Sequence, residues 1–198
     1  MREIYQLKIT AIESEPPIYR VLEVSGSTGL RKLNLYIQEL FGFEGYHLFG
    51  FQQTLKGKFI GDINEFDTIS GITRVKDYFK MPNGTMRKAI FYTYDFGDNW
   101  KFKIEPKAVI IHNVEISLPR CISGAGNNLI EDIGGIYSYS LVSNWCRLKN
   151  KYNYDMLIGR YGKDVAYKLK HELADYNPDY FDSTKVVLGK LKYIPPAD

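Results

Sequence analysis

The stretch Tyr92-Thr93-Tyr94-Asp95-Phe96-Gly97-Asp98-Asn99-Trp100 determines how we interpret the rest of this 198-residue chain. Apolar and aromatic residues recur at every second position up to Phe96, and the alternation resumes at Trp100. Such alternation on both sides of a Gly-Asp-Asn turn is typical of a β-hairpin, which we predict from about residue 88 to residue 111. We expect this hairpin at the centre of the fold. Pro106 has no N–H for the strand ladder, so a bulge or an edge position is predicted there.

The turn of this hairpin carries two carboxylates, Asp95 and Asp98, and two interpretations of them stay open. Asp and Gly are common turn formers, because Asp accepts backbone N–H groups and Gly adopts positive φ, and this structural interpretation is favoured for each residue. Alternatively, together with Glu131 and Asp132 of a second Gly-rich stretch, they hold a hard cation such as Mg²⁺, with His47 as an added base. No sequence spacing places the two stretches side by side.

Three further strands are predicted upstream of the hairpin. Period-two patterns cover Tyr5 to Ala11, Ile18 to Val24 and His47 to Phe51. Arg20 shares the apolar face of the second of these strands, where a bare charge is very costly. A structural ion pair is the favoured interpretation, and a ligand contact is the alternative.

A helix is predicted between the second and third strands. Its apolar residues recur at helical spacing from Thr28, the expected N-cap, to Phe41, and Gly42 provides the C-terminal stop. The Gly-rich loop of residues 25–29 invites a phosphate-cradle interpretation. It lacks the Walker lysine pattern and the dinucleotide-binding fingerprint, so that interpretation is disfavoured.

Beyond Cys121 the apolar spacing changes from two residues to 3.6, which predicts a loop-rich, mainly helical C-terminal part. Ser123 to Asn128 is expected to be a flexible loop. Helices are expected around Tyr137–Leu148, Val165–Leu173 and Ser183–Tyr193.

We therefore predict an α+β fold: a mixed or antiparallel sheet with a packed helix, followed by a mainly helical part. One domain over residues 1–198 is expected, with the sheet core in 1–118 and the loops and helices in 119–198. The hydrophobic content of 44% and the charged content of 25% are ordinary for a globular protein. No stretch is apolar over a membrane-spanning length and no signal peptide is recognised, so a cytoplasmic location without membrane contact is expected.

Cys121 and Cys146 are the only cysteines, and no CxxC motif is present. Two thiols do not complete a tetrahedral zinc site without other ligands, so no zinc site of that kind is expected. Reduced thiols are expected instead. A nucleophile–base pair of Cys121 and His47 is disfavoured, because nothing in the sequence orients the two side chains.

Several motifs resemble, in this order, those of one family: Pro16–Arg20, Leu40–Phe43, His47–Phe49, Tyr94–Trp100, Pro119–Cys121 and Glu131–Gly135. The chain resembles the Ri-plasmid ORF-3-like family, also labelled the passenger TnpR family of an insertion element. The resemblance implies an α+β fold of no settled activity. Relatives often carry cysteines on both sides of the Glu-Asp pair, where this chain has Asn128 and Ile133, so a cysteine-based metal site is not expected here.

The TnpR label suggests a resolvase, but the residues argue against it. Serine resolvases carry Tyr-x-Arg-Val-Ser near the N-terminus. Here Tyr19-Arg20-Val21 is followed by Leu22, without the intervening residue or the nucleophile. Recombinase chemistry is therefore rejected for this chain.

Two functional hypotheses follow from these observations. The first is a non-catalytic binding or structural module linked to mobile-element DNA, with weak nucleic-acid binding or a protein partner. The net charge of +3 permits such phosphate contacts without requiring them. The second is a Mg-type metal-dependent enzyme, with His47, Asp95 and Asp98 as catalytic candidates. The binding candidates are Arg20, Tyr94, Trp100, Glu131 and Asp132, and the basic run for phosphates is Arg147, Lys149 and Lys151.

Overall fold

The computed structural model of the chain describes residues 2–54, 56–61, 73–113 and 116–192. At its centre lies a hairpin of two antiparallel strands, β5 (Ile90–Tyr94) and β6 (Trp100–His112). Tyr92 and Phe102 face each other across this pair and are fully buried. Burial of each large side chain contributes about 1.5–3 kcal/mol, so alternation of this kind fixes which face of the hairpin enters the core.

The hairpin turn departs from the predicted alternation. Asp95 has a φ of 53°, which ends β5 at Tyr94 and turns the chain away from the strand direction. Phe96 therefore leaves the alternating pattern and lies at the surface, 38% exposed. The chain re-enters β6 through Asn99, whose φ is 57° and whose N–H donates to the Asp95 carbonyl at 2.6 Å.

Within the described residues the sheet has seven strands, and every strand pairing is antiparallel. The other five strands are β1 (Arg2–Ala11), β2 (Tyr19–Ser25), β3 (Phe49–Gln52), β4 (Ile60–Gly61) and β7 (Arg120–Ala125). Their order is β4-β3-β5-β6-β1-β2-β7, so β6 is the middle strand. The prediction of a central hairpin is confirmed, and of the two sheet types predicted the structure has the antiparallel one.

Pro106 lies where the sequence predicted an irregularity. On β1, Gln6 pairs with Ala108, whereas Leu7 pairs with Pro106, so the register shifts between Gln6 and Leu7 and one extra β6 residue is accommodated. A bulge lets an interior strand accommodate a residue without an N–H donor. The predicted bulge is thus confirmed, and it lies on the central strand.

The helix α1 (Leu30–Phe41) packs on one face of the sheet. The Phe41 ring lies 4.6 Å from that of Phe102, and the Tyr92 hydroxyl donates to Asn34 at 2.6 Å. Gly42 ends the helix with a φ of 85°, as predicted. The N-cap is Gly29 rather than Thr28, and no side chain caps the helix start.

The second helix, α2 (Val75–Phe79), has five residues, which is between the one and two turns predicted within the stretch from Gly71 to Phe79. Residues 71 and 72 of that prediction, and Leu55 of the predicted Leu55–Phe59 hairpin or turn, lie outside the described residues. His47 lies before β3 rather than within it, so its side chain is not part of the strand pattern.

The C-terminal part is mainly helical, as predicted. Its helices are α3 (Gly135–Leu148), α4 (Lys151–Tyr161) and α5 (Lys163–Glu172). Ser123 was expected in a flexible loop, but it belongs to β7, which extends the sheet beyond β2. No helix in the described ranges is long and apolar enough to cross a membrane.

The prediction of a last helix from Ser183 to Tyr193 is wrong over its described part. Only one 3-10 turn forms, Ser183–Lys185, with the Asp182 side chain accepting the Thr184 N–H at 2.9 Å. Gly189 has a φ of 89°, and its N–H donates to the Glu39 carboxylate on α1. Tertiary contacts therefore replace the helix here, and Tyr193 itself lies outside the described residues.

The hairpin turn is joined directly to the start of α3. The Asp98 carboxylate accepts the Gly134 N–H at 2.9 Å. Gly135 has a φ of 75°, and a Cβ at that position would come within 2.2 Å of the Asp98 carbonyl oxygen. Only glycine permits this backbone approach, which fixes the segment before α3 against the hairpin turn.

Candidate functional site

Three segments that are distant in sequence meet beside the hairpin turn. The loop before β3 provides His47, the first residue after β5 is Asp95, and the segment before α3 provides Glu131 and Asp132. We call these four side chains the acidic cluster. The junction between Asp98 and Gly134 brings the third segment to the turn, so the fold itself assembles the cluster.

Asp95 is held rigidly at the buried side of the acidic cluster. Its N–H donates to the Leu48 carbonyl at 2.9 Å, and its Oδ1 accepts the Gly97 N–H at 2.9 Å. Positive φ is tolerated by Asp because its short side chain bonds to nearby backbone, as it does here. The second carboxylate oxygen, Oδ2, lies 3.9 Å from Nε2 of His47.

Glu131 is fixed by one hydrogen bond on each carboxylate oxygen. Oε1 accepts from the Tyr94 hydroxyl at 2.5 Å, and Oε2 accepts from the Glu44 N–H at 2.7 Å. Its side chain is only 9% exposed. The neighbouring Asp132 has a φ of 57° and a more exposed side chain, so the two adjacent carboxylates enter the cluster from different depths.

His47 lies among the three carboxylates. Its Nε2 is 2.9 Å from Oδ1 of Asp132, 3.9 Å from Oδ2 of Asp95 and 4.0 Å from Oε1 of Glu131. Its backbone N–H donates to the Tyr94 hydroxyl at 3.4 Å. One tyrosine hydroxyl therefore orients both the histidine loop and the Glu131 carboxylate.

The negative charge of the cluster acts on two tyrosines. Burial, followed by the hydrogen bond to Glu131 and the charge of that carboxylate, raises the pKa of Tyr94 far above its ordinary value. Tyr46 is exposed, and the Glu131 charge is the main cause of its raised pKa, followed by desolvation and the Asp132 charge. Tyr46 was not among the predicted site residues, and its ring lies 4.9 Å from the imidazole of His47.

The geometry of the cluster suits a metal ion. One ligand atom each from His47, Asp95 and Asp132 lies within 4.8 Å of the other two. Ligands about 2.1 Å from an ion are separated by about 3 Å when adjacent and about 4 Å when opposite. The distances of 2.9 and 3.9 Å from the imidazole nitrogen fall at these values. The shorter of the two is also the length of the hydrogen bond between His47 and Asp132, which an ion would replace.

Asp98, a predicted catalytic candidate, does not join the acidic cluster, because its carboxylate accepts the Gly134 N–H. Tyr94 does contact the cluster, through its hydroxyl. Cys121 lies on β7, at the opposite edge of the sheet from β4, and its thiol donates to the Ser123 carbonyl at 3.5 Å.

Two of the predicted binding residues lie in the interior. Trp100 is 1% exposed and packs against Phe43 and Tyr139. Arg20 is fully buried, and it donates to the carbonyls of Leu40, Tyr19 and Ala125 at 2.9 Å each.

The surroundings of Arg20 correct the expected ion pair. Among the described residues no carboxylate forms a salt bridge with Arg20. The Phe41 and Phe181 rings lie on its guanidinium, with centroids 5.1 and 4.0 Å away. Burial lowers the pKa of Arg20 to about 10. Carbonyl oxygens and aromatic faces thus take the place of the predicted carboxylate partner.

The basic run that was considered for phosphate contacts makes contacts within the chain. Arg147 pairs with Asp179 at 2.8 Å, and Lys151 pairs with Asp155 at 2.6 Å. The Lys149 ammonium donates to the Ala174 carbonyl at 2.7 Å. These contacts tie the end of α3 and the start of α4 to their neighbours.

Comparison with known proteins gives a family and a fold. The family model described as plasmid pRiA4b ORF-3-like protein matches residues 3–185. The uncharacterized protein y4hQ of Sinorhizobium fredii is 27% identical over 136 residues, 69% of each chain. The crystal structure of a protein of unknown function, MM3350 from Methanosarcina mazei Go1, superposes with a TM-score of 0.75 at 24% identity, covering 95% of this chain and 99% of that one. At that identity the likeness concerns the fold alone.

Proposed function

Because this chain belongs to the plasmid pRiA4b ORF-3-like protein family, whose relatives above carry no stated activity, we propose a function from its own side chains. The protein binds a divalent cation in the acidic cluster, through His47, Asp95 and Asp132. The observation that carries this proposal is the convergence of an imidazole nitrogen and two carboxylate oxygens within 4.8 Å. Glu131, 4.0 Å from the imidazole, adds a third negative charge beside the ion.

The charge balance of the cluster supports a cation. Three carboxylates surround one imidazole, and repulsion between like charges is costly where they are partly buried. A divalent cation at their centre offsets two of the three negative charges, whereas a protonated imidazole offsets only one. The ligands come from the loop before β3, the hairpin turn and the segment before α3, so the ion also links these three segments.

The donor set indicates which ion fits. Mg²⁺ is bound mostly by oxygen ligands and retains several waters, whereas imidazole together with carboxylate suits first-row transition ions. We therefore expect Mn²⁺ to bind more tightly than Mg²⁺. In this proposal His47 is itself a metal ligand, whereas the sequence interpretation made it a base beside a Mg²⁺ site.

A second candidate function is catalysis by the bound ion. The side chains of His47 and Asp132 are 28% and 58% exposed, so one side of the cluster is open to solvent. A divalent ion with an open coordination position lowers the pKa of a bound water and activates it for hydrolysis. Catalysis predicts a hydrolytic activity that requires Mn²⁺ and is lost in Asp95→Asn, whereas binding alone predicts no such activity.

Isothermal titration with Mn²⁺ tests the binding proposal. The wild type is expected to bind one ion, and Asp95→Asn and His47→Gln are each expected to weaken binding at least about tenfold. Asp98→Asn is the matched control, since it removes the same charge from the same turn while an amide oxygen can still accept the Gly134 N–H. Equal binding by the wild type and Asp95→Asn would refute the proposal.

A further inference from the structure

The central strand of the sheet has one side that is paired over only part of its length. β6 spans Trp100–His112, but β5 pairs only with its first part, Trp100–Ile104. Along the rest of the strand, Glu105–His112, β1 pairs from the opposite side. In the described part of the chain, no backbone group bonds to the side of this segment that faces away from β1. Over those residues, alternate N–H and C=O groups therefore point outward without a strand partner.

The chain that leads into β5 does not cover this side, because it is held against α2. The Arg87 N–H donates to the Phe79 carbonyl at 2.7 Å. Just before Arg87, Lys80 and Met86 pair with each other in an isolated bridge. In place of a longer β5, the chain forms a loop whose backbone bonds to itself and to the end of α2.

Only the first part of the outward side is protected against pairing with another chain. Proteins protect the edge of a sheet with charged side chains, proline and bulges. Glu105, Pro106 and Lys107 provide the charges, the proline and the register shift described above. The residues that follow, Ala108–His112, include no Lys, Arg, Asp, Glu or Pro. We call the outward side of Ala108–His112 the free edge.

The side chains along the free edge are apolar and β-branched at three successive positions. Val109 and Ile111 point to one face of the sheet and are 37% and 63% exposed. Ile110 points to the other face, where it is half-buried and paired with Ile4 of β1. Such residues favour strands because they pack against neighbours across the sheet. On the outward side the described residues provide no such neighbour.

We propose that the free edge pairs antiparallel with the free edge of a second copy of this chain, about a two-fold axis at Ile110. An added strand satisfies a row of outward N–H and C=O groups and covers apolar side chains at the same time. A two-fold axis brings one surface against itself, so that surface must be self-complementary. The free edge meets this condition, since it carries no Lys, Arg, Asp or Glu that would face its like.

The symmetry of the pair fixes the register. Residues opposite each other in an antiparallel pair share a face, so a two-fold axis perpendicular to the sheet passes between two copies of one residue. With the axis at Ile110, Val109 of each copy lies opposite Ile111 of the other, and the exposed apolar side chains cover each other. The Ile4–Ile110 row of one copy then continues into that of the other. An axis at Val109 would instead bring Lys107 into the pairing.

Sedimentation equilibrium of the full chain from about 10 µM to 1 mM tests this proposal, because so short a contact gives a weak, concentration-dependent dimer. EDTA in all samples excludes association through an ion in the acidic cluster. A reversible monomer–dimer equilibrium is expected. Val109→Glu and Ile111→Lys should each weaken the dimer at least about tenfold, because each places a charge opposite an apolar side chain. Both residues are exposed, so the variants should fold, which circular dichroism checks.

The double variant Val109→Glu, Ile111→Lys tests the register. Each new carboxylate then lies opposite a new ammonium of the other copy, so dimerisation should return to within about threefold of the wild type. Ile122→Lys is the matched control, because it introduces the same charge on β7 at a residue that is 38% exposed. Its dimerisation is expected to stay within about twofold of the wild type.

Amide hydrogen exchange of the wild type measures the pairing without any substitution. The outward N–H groups of Ala108–His112 should exchange more slowly at about 1 mM protein than at about 10 µM, since pairing protects them. The proposal is overturned if the wild type stays monomeric at the higher concentration, or if these exchange rates are the same at both concentrations. It is also overturned if Ile122→Lys weakens the dimer as much as Ile111→Lys does, or if the double variant dimerises no better than the single variants.

Discussion

The Nε2 atom of His47 lies 2.9 Å from Oδ1 of Asp132, although 85 positions separate the two residues. Asp95 approaches the same nitrogen from the hairpin turn, with its Oδ2 3.9 Å away. Contacts between such distant segments depend on the whole sheet and on the junction of its hairpin turn with α3. The acidic cluster therefore exists only in the folded chain, and its charge can be measured through the pKa of a neighbouring side chain.

Tyr46 is a reporter of the charge in the acidic cluster. The raised pKa of its phenol has the Glu131 charge as its largest cause, so the folded protein keeps this proton to higher pH than an unfolded chain does. We expect Glu131→Gln, or saturation with Mg²⁺, to lower the pKa of Tyr46. A ¹³C-tyrosine NMR titration measures this, with Tyr46→Phe to assign the signal. No change with either treatment would contradict a cation in the cluster.

Asp95 should affect stability in opposite ways with and without an ion. Asp95→Asn keeps an oxygen for the Gly97 N–H and tolerates positive φ, while it removes charge beside two other carboxylates. Without ions, this variant is expected to unfold at the same temperature as the wild type or a higher one. With Mn²⁺ at 100 times the wild-type dissociation constant, the wild type should gain about 2.7 kcal/mol and Asp95→Asn about 1.4 kcal/mol or less.

Asp95→Ala separates the backbone role of this residue from its charge. It removes the acceptor for the Gly97 N–H and leaves a residue at positive φ whose side chain makes no local bond. A loss of about 1–3 kcal/mol relative to Asp95→Asn is expected in urea unfolding. Equal stability of the two variants would show that the local hydrogen bond contributes little.

Arg20 should stabilise the fold without taking part in binding. Arg20→Met keeps the stem but leaves the carbonyls of Leu40, Tyr19 and Ala125 without their guanidinium donor. We expect a loss of about 2–4 kcal/mol in urea unfolding, with Mn²⁺ affinity unchanged. Phe181→Leu replaces the aromatic face over Arg20 by an aliphatic side chain. The free energy of unfolding should fall by about 1 kcal/mol beyond the loss expected from the smaller buried area. Wild-type stability in Arg20→Met would contradict this role.

Nucleic-acid binding is expected to be weak and independent of sequence. The basic run of α3 and α4 is occupied by contacts within the chain, including the pairs Arg147–Asp179 and Lys151–Asp155. Residual binding of oligonucleotides should fade between roughly 50 and 200 mM salt, because phosphate contacts release counterions. Fluorescence anisotropy with duplex and single-stranded oligonucleotides tests this. Tight, salt-resistant and sequence-selective binding would contradict it.

Local patterns predicted the central part of the fold. Three features depend only on residues close in sequence and could therefore be predicted: the alternation in the hairpin, the bulge at Pro106 and the end of α1 at Gly42. The helix α4 was missed because its only fully buried side chain is Leu157, which leaves little apolar periodicity to detect. The last predicted helix failed because Glu39 holds the backbone N–H groups of Gly189 and Leu191.

The acidic cluster was only partly predictable. His47, Asp95, Glu131 and Asp132 were all candidates, but no spacing indicated that their segments meet. The signal that could have joined them is the pair of consecutive glycines, Gly134 and Gly135, which permits the close backbone contact with Asp98. Arg20 and Trp100 were named as binding candidates but are buried, since a strand pattern does not reveal how much later chain covers a face.

Crystals soaked with Mn²⁺ and measured at the manganese absorption edge test the central claim most directly. We predict one strong anomalous peak within about 2.0–2.4 Å of Nε2 of His47 and of a carboxylate oxygen of both Asp95 and Asp132. The Asp132 contact to the imidazole would then be replaced by coordination. A fully soaked crystal with no peak at this position, and His47 still hydrogen-bonded to Asp132, would contradict the proposal that the acidic cluster is a metal site.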